Sequence, residues 1–194
     1  MKQSPILPSL LSTVIGIGIL LALTGCATQP PAPSALCTLA DDNGNPIPAT
    51  FTGTLNPRQQ GHAATHVVLV QTAETACCNE FDRVVFTCEG FHHPTWKVRY
   101  VNPPVQQCGS GNNIAMTGNA FLQISMDTAQ AHTDAGQPTI TDRDRHLNCR
   151  NLKQLVLTCD FEAKVGFVLG LDSKKPYRVV ELQNPTRLVI DVKN

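Results

Sequence analysis

The sequence predicts an all-β protein: an antiparallel β-sandwich or a partly closed barrel, carried behind an N-terminal signal segment and an extended tether. Three observations predict it. Beyond residue 61, apolar residues recur with period two in short segments enriched in Val, Ile and Leu, the spacing of half-buried strands. Turn formers separate these segments, and the 14 prolines and 13 glycines of the 194-residue chain favour short strands over long helices. No stretch after the leader keeps a 3.6-residue apolar period over three turns.

In chain order, the first element is an address. Residues 1–25 have a single charge (Lys2), an apolar run from Val14 to Leu23 and a small-residue exit, the parts of a secretory signal. Pro8, Ser9, Ser12 and Thr13 interrupt the run and leave it shorter than the roughly 20 residues a spanning helix needs. Leu23-Thr24-Gly25-Cys26 resembles the bacterial lipobox. The resemblance implies that Cys26 takes a diacylglycerol thioether, is cut free from Gly25 and is acylated on its new amine. Three acyl chains, palmitate among them, at about 0.8 kcal/mol per buried methylene would hold the protein on a membrane. Ala27, rather than Asp, follows Cys26, which points to the outer membrane, facing the periplasm, where the cell has one.

Residues 26–61 form the next segment. Thr28 to Ala35 holds Pro30, Pro31 and Pro33 and no charge, the composition of an extended spacer. Asp41-Asp42-Asn43-Gly44-Asn45-Pro46 follows. Asp41, Asn43 and Asn45 mimic the opening of a calcium loop, but the sixth position is Pro46 and the twelfth Thr52, so the segment reads as a turn.

Residues 62–194 are the β domain. Its strands are read at His66–Val70, Asp82–Cys88, Trp96–Val101, Ala120–Met126, Leu155–Phe161, Val165–Leu171, Tyr177–Leu182 and Arg187–Val192. Alternation places Leu122, Ile124 and Met126 on one face, and Leu155, Leu157, Cys159 and Phe161 on another.

The closing text, Tyr177-Arg178-Val179-Val180-Glu181-Leu182-Gln183-Asn184-Pro185-Thr186-Arg187-Leu188-Val189-Ile190-Asp191-Val192, resembles the final hairpin of AMIN domains, a strand, an Asn-Pro turn and then Arg-Leu-Val-hydrophobic-Asp. From Phe81 onward the chain is similar to the AMIN-like domain of bacterial lipoproteins, with Gly118 to Leu122, Phe161-Glu162 and Gly170-Leu171 in matching order. That resemblance implies a β-sandwich with an envelope role, since amidase-linked AMIN modules bind peptidoglycan. It carries over no binding residues. On physical grounds, Asn184-Pro185 forces a turn, Leu188 and Ile190 face a core, and Arg187 and Asp191 form an ion pair or edge charges on the opposite side.

With Cys26 lipidated, Cys37, Cys77, Cys78, Cys88, Cys108, Cys149 and Cys159 remain. In an exported chain these are disulfide candidates, at about 2–4 kcal/mol per bond, with one thiol left over. Inward parity lets Cys88 and Cys159 bridge two strands or stay buried. Loop positions suit a Cys108–Cys149 bond, and Cys37 would meet Cys77 or Cys78. The adjacent pairs Cys77-Cys78 and His92-His93 lack metal-ligand spacing, so no metal and no cofactor are expected. Asp142 and Asp144 alternate with Arg143 and Arg145, a self-neutralising solvated loop.

Charge excludes one class of partner. Basic and acidic residues balance at 15 each, and loss of the leader removes only Lys2, leaving 14 against 15 and a net charge of −1. Nucleic acid is therefore not a partner. Ser34, Ser110, Ser125 and Ser173 lie in no nucleophile motif, and Cys88 has only His92 and His93 as sequence neighbours. The sequence thus predicts a non-catalytic, membrane-anchored envelope lipoprotein that binds peptidoglycan or an envelope protein. Trp96, Tyr100, Tyr177 and Arg187 are the contact candidates. An accessory subunit of a larger envelope assembly is the alternative, with a wall hydrolase or thiol-redox protein behind it.

Overall fold

A computed structural model describes residues 34–48, 52–63 and 66–194. The signal segment, the lipidation site Cys26 and most of the Pro-rich spacer lie outside the described residues. Thirteen strands are described: β1 Arg58–Gln60, β2 Val68–Cys77, β3 Phe81–Cys88, β4 Thr95–Val101, β5 Val105–Gln106, β6 Asn113–Ile114, β7 Ala120–Asp127, β8 Ala129–Gln130, β9 Asp144–His146, β10 Leu152–Phe161, β11 Lys164–Leu171, β12 Tyr177–Leu182 and β13 Arg187–Lys193. The strands read from the sequence correspond to β2, β3, β4, β7, β10, β11, β12 and β13.

The architecture is a β-sandwich and not a closed barrel. Six strands make one sheet in the order β1-β4-β7-β11-β10-β9, and five make the other in the order β12-β13-β3-β2-β8. Pairing is antiparallel except between β2 and β8, which run parallel, a departure from the uniformly antiparallel expectation. Between the sheets lies the main core, with Val98, Leu122, Ile124 and Phe167 from one and Val84, Phe86, Leu188 and Ile190 from the other. Phe86 and Phe167 meet with ring centroids 4.7 Å apart. Each such fully buried apolar side chain contributes about 1.5–3 kcal/mol.

Several strands are buried along nearly their whole length because both faces are covered. On the outer face of the five-stranded sheet, Val85, Val189 and Leu182 pack against Ile47, with Leu36 and Leu39 beside them. The turn-rich extension therefore lies on the domain, and from Ser34 onward the described residues belong to one compact unit. Within it Asp41 accepts the amides of Asn43 and Asn45 at 2.9 and 2.8 Å, a self-contained turn whose Asn45 amide bond leads in lowering the Asp41 pKa. On the outer face of the six-stranded sheet, the β5–β6 ribbon covers Phe121 and Val168 with Val105.

Bulges explain where the parity reading fails. Register shifts interrupt β10 against β11 between Leu152 and Gln154 and between Leu157 and Cys159. A bulge inserts one extra residue and so exchanges the faces beyond it. Leu155 and Leu157 face the core, whereas Cys159 pairs with Gly166 on the outer face and Phe161 is 56% exposed. The Asp142–Arg145 stretch also departs from a loop: β9 pairs with β10 as the sheet's last strand, and Gln154 donates to Asp144 at 2.6 Å.

Candidate functional site on the strapped face of the six-stranded sheet

The β5–β6 ribbon lies across its sheet as a strap. Its turn is closed by the Gln107 amide on the Asn112 carbonyl at 2.9 Å and by the Asn112 amide on Ser110 Oγ at 3.2 Å. Gly111 holds φ +71°, a conformation that favours glycine. The Cys108 amide donates to the Thr158 carbonyl at 3.1 Å, and Cys108 is disulfide-bonded to Cys159 on β10. Opposite, Gly166 leaves room for the Cys159 side chain, since a Cβ there would stand 3.0 Å from that of Cys159.

Hollows flank the strap. One, of about 370 Å³, is lined by Ser110, Arg143, Asp160 and the exposed ring of Phe161. The other, of about 490 Å³, is lined by Arg99, Asn102, Gln123, Ser125 and Lys164. Asp160 is fixed by the Ala131 amide and by His132 Nδ1, both at 2.9 Å, with Arg143 3.6 Å away. Arg99 donates to Gln123 at 3.2 Å, and Lys164 pairs with Asp127 at 3.3 Å. The face thus combines cations, amides and one aromatic plane within reach of solvent.

The contact candidates read from sequence sit elsewhere, Trp96, Tyr100 and Tyr177 on β4 and β12 where the two sheets meet and Arg187 at the start of β13. Trp96 is 5% exposed and its Nε1 donates to Glu181 Oε1 at 2.5 Å. Tyr177 is fully buried, its hydroxyl 2.7 and 2.8 Å from the carbonyl oxygens of Asn56 and Val98. Half-buried Tyr100 donates to the Lys175 carbonyl at 2.6 Å and meets the Tyr177 ring edge-on at 5.9 Å. Burial raises both phenol pKa values, that of Tyr100 to about 12. The rings of Trp96 and Tyr177 are buried where the sheets join, and that of Tyr100 packs on Tyr177. Arg187 is half-buried and donates to the Pro185 carbonyl at 3.2 Å. It does not pair with Asp191, because four residues along a strand span about 13 Å.

The disulfides are Cys37–Cys78, Cys77–Cys149 and Cys108–Cys159. The expected Cys108–Cys149 bond is corrected, because the β10 bulge turns Cys159 outward to the strap. Cys88 is free and buried, and loss of hydration pushes its thiol up to about 12, far from a nucleophilic thiolate. Among the described residues, one group of three potential metal ligands converges, Cys77, Asp82 and Cys149, and its two sulfurs are bonded to each other.

A family model of the AMIN-like domain matches residues 65–194. The chain belongs to the AMIN-like domain family. No curated protein and no solved structure matches it significantly. AMIN-like domains occur in cell-envelope proteins and are in general binding modules, for peptidoglycan or other envelope components, rather than catalysts. No helix among the described residues is long and apolar enough to cross a membrane.

In this AMIN-like domain the residues lining the hollows beside the strap, Arg143, Asp160, Phe161 and Lys164, were missed from sequence. The available signal was weak: Cys108 beside Gly109 in a polar stretch between Val105 and Ile114 fits a disulfide-fixed turn, but nothing in the text says which strand receives it.

Proposed function

We propose that this AMIN-like chain is a membrane-anchored envelope lipoprotein, held by lipid on Cys26, whose sandwich binds peptidoglycan through the strapped face. The observation that carries this reading is the exposed Phe161 ring at the mouth of a hollow also lined by Arg143 and Asp160. A sugar ring presents C–H faces that pack on an aromatic plane, while hydroxyls and stem-peptide carboxylates call for amides and guanidinium groups. Arg99, Gln123 and Lys164 extend the same surface across the strap. The lipobox-like Leu23 to Cys26 and the Pro-rich spacer support the anchor.

Co-sedimentation with purified sacculi tests the binding claim. The full chain in mild detergent is expected in the pellet, and Phe161→Ala with Arg143→Ala is expected to leave it in the supernatant. Equal pelleting of the variant would place binding elsewhere. Cys26→Ala tests the anchor, with loss of acyl labelling and release from the membrane fraction expected.

A protein partner is the second reading, favoured by one observation. Phe91, at the turn between β3 and β4, is 77% exposed, and Val67 is 41% exposed. Recovery of a defined envelope protein with the wild type, but not with Phe91→Ser, would support it.

A further inference from the structure

The hairpin turn between β2 and β3 carries a second chemical feature. Cys77 and Asp82 stand opposite each other in the β2–β3 register, and Cys149 reaches them from the segment that enters β10. Cys77 is exposed and Cys149 is 3% exposed. The two sulfurs and a carboxylate oxygen of Asp82 all lie within 4.8 Å of one another. Among the described residues, neither of the other disulfides has a carboxylate so placed.

Asp82 is 1% exposed. Its Oδ2 accepts the amides of Asn151 and Leu152, both at 2.7 Å, and its Oδ1 is buried without a hydrogen-bond partner. A structural anchor for the loop needs only Oδ2. An unpartnered buried carboxylate oxygen costs free energy and asks for an explanation. A hollow of about 210 Å³, lined by Cys37, Cys77, Cys78 and Phe81, opens beside the pair.

We propose that Cys77–Cys149 is a thiol–disulfide exchange site with Asp82 as its acid–base group, and that its partner is an envelope protein with two neighbouring thiols. A partner thiolate enters from the hollow and attacks Cys77 Sγ, the sulfur of the more exposed residue of the pair. The partner–Cys77 sulfur bond forms, the Cys77–Cys149 bond breaks, and the electron pair leaves on Cys149. A thiolate there would be buried and poorly solvated, so the Asp82 carboxyl transfers its proton to it as the bond breaks. The partner's second thiol then attacks its own mixed-disulfide sulfur and releases Cys77, which takes a proton from solvent, while Asp82 regains the proton lost by that thiol. The partner dithiol is oxidised to a disulfide, and Cys77 and Cys149 are reduced to thiols.

Electrostatics agrees with this assignment. Burial raises the Asp82 pKa against the opposing pull of the Leu152 and Asn151 amides and of the facing cations Lys153 and Arg150. With Oδ2 accepting two hydrogens, Oδ1 is the oxygen open to a proton.

Timed reduction tests this. The full chain is exposed to limiting dithiothreitol, quenched by alkylation and mapped peptide by peptide. Cys77–Cys149 is expected to open about tenfold or more faster than Cys108–Cys159. Asp82→Asn, which keeps an oxygen for both amides, is expected to remove that advantage while the other bonds open as before. The wild type alone supplies a second measure. Per attacking thiolate, opening of Cys77–Cys149 should slow as pH rises through the Asp82 titration. Opening no faster than the other bonds, an unchanged rate in Asp82→Asn, or a flat pH profile would each overturn the proposal.

Discussion

Arg83 and Asp191 face each other across β3 and β13 with Nε–Oδ1 and Nη2–Oδ2 distances of 2.6 and 2.8 Å, and neither side chain has exposed surface. Arg178 adds a second guanidinium to the same carboxylate, its Nε 2.8 Å from Oδ2. The free amino group of Arg83 donates to the Leu36 carbonyl at 2.7 Å. One ion cluster therefore closes a sheet face and docks the N-terminal extension on it. Asp191→Asn leaves a buried guanidinium without its counter-charge, a loss of about 3–5 kcal/mol. Urea denaturation followed by the fluorescence of the single tryptophan, Trp96, will show the midpoint fall.

Cys108 and Cys159 are 51 residues apart in sequence, and a loop of that length implies about 4 kcal/mol of stabilisation from the cross-link. The double replacement by alanine is expected to lower stability by about 2–4 kcal/mol. It should also expose the strap to proteases before the rest of the domain. Limited proteolysis with peptide mapping will locate the first cut between Asn102 and Gly118.

His93 gives the fold a pH dependence. It is 5% exposed with neither ring nitrogen hydrogen-bonded. Burial lowers its pKa from 6.5, His62 pushes the same way, and Glu181 and Asp42 oppose. The folded state thus disfavours the protonated ring, so the unfolded chain binds more protons between the two pKa values. Stability is complete above 6.5 and is lost as pH falls below it toward the folded value. Thermal melts should show Tm falling over that window in the wild type and a shallower fall in His93→Phe.

At Gly170 a Cβ would collide with the Thr117 carbonyl oxygen, where the chain entering β7 crosses β11. Gly170→Ala forces a backbone shift costing about 1–3 kcal/mol. A lower denaturant midpoint with an unchanged slope is the expected outcome.

The long strands were legible because a half-buried antiparallel strand writes its faces into the text, as Leu122, Ile124 and Met126 do against Gln123 and Ser125. The short strands β1, β5, β6, β8 and β9 span two or three residues, too few to show a period. Cys159 and Phe161 were misplaced because a bulge leaves no composition signal yet exchanges faces. Trp96 and Tyr177 suggested a sugar platform because residue type reveals stacking capacity, whereas only the packed edge reveals that their faces are covered. Leu36, Leu39 and Ile47 have no shared period, so the docking of the extension was invisible until Val85 and Val189 were seen on the same side of their sheet.

Amide chemical-shift mapping during titration of the protein with soluble peptidoglycan fragments probes the recognition surface directly. Recognition by the strapped face predicts shifts concentrated at Arg99, Gln123, Arg143, Phe161 and Lys164, with the Phe91 turn unmoved. Shifts confined to that turn, or none at saturating fragment, would contradict it.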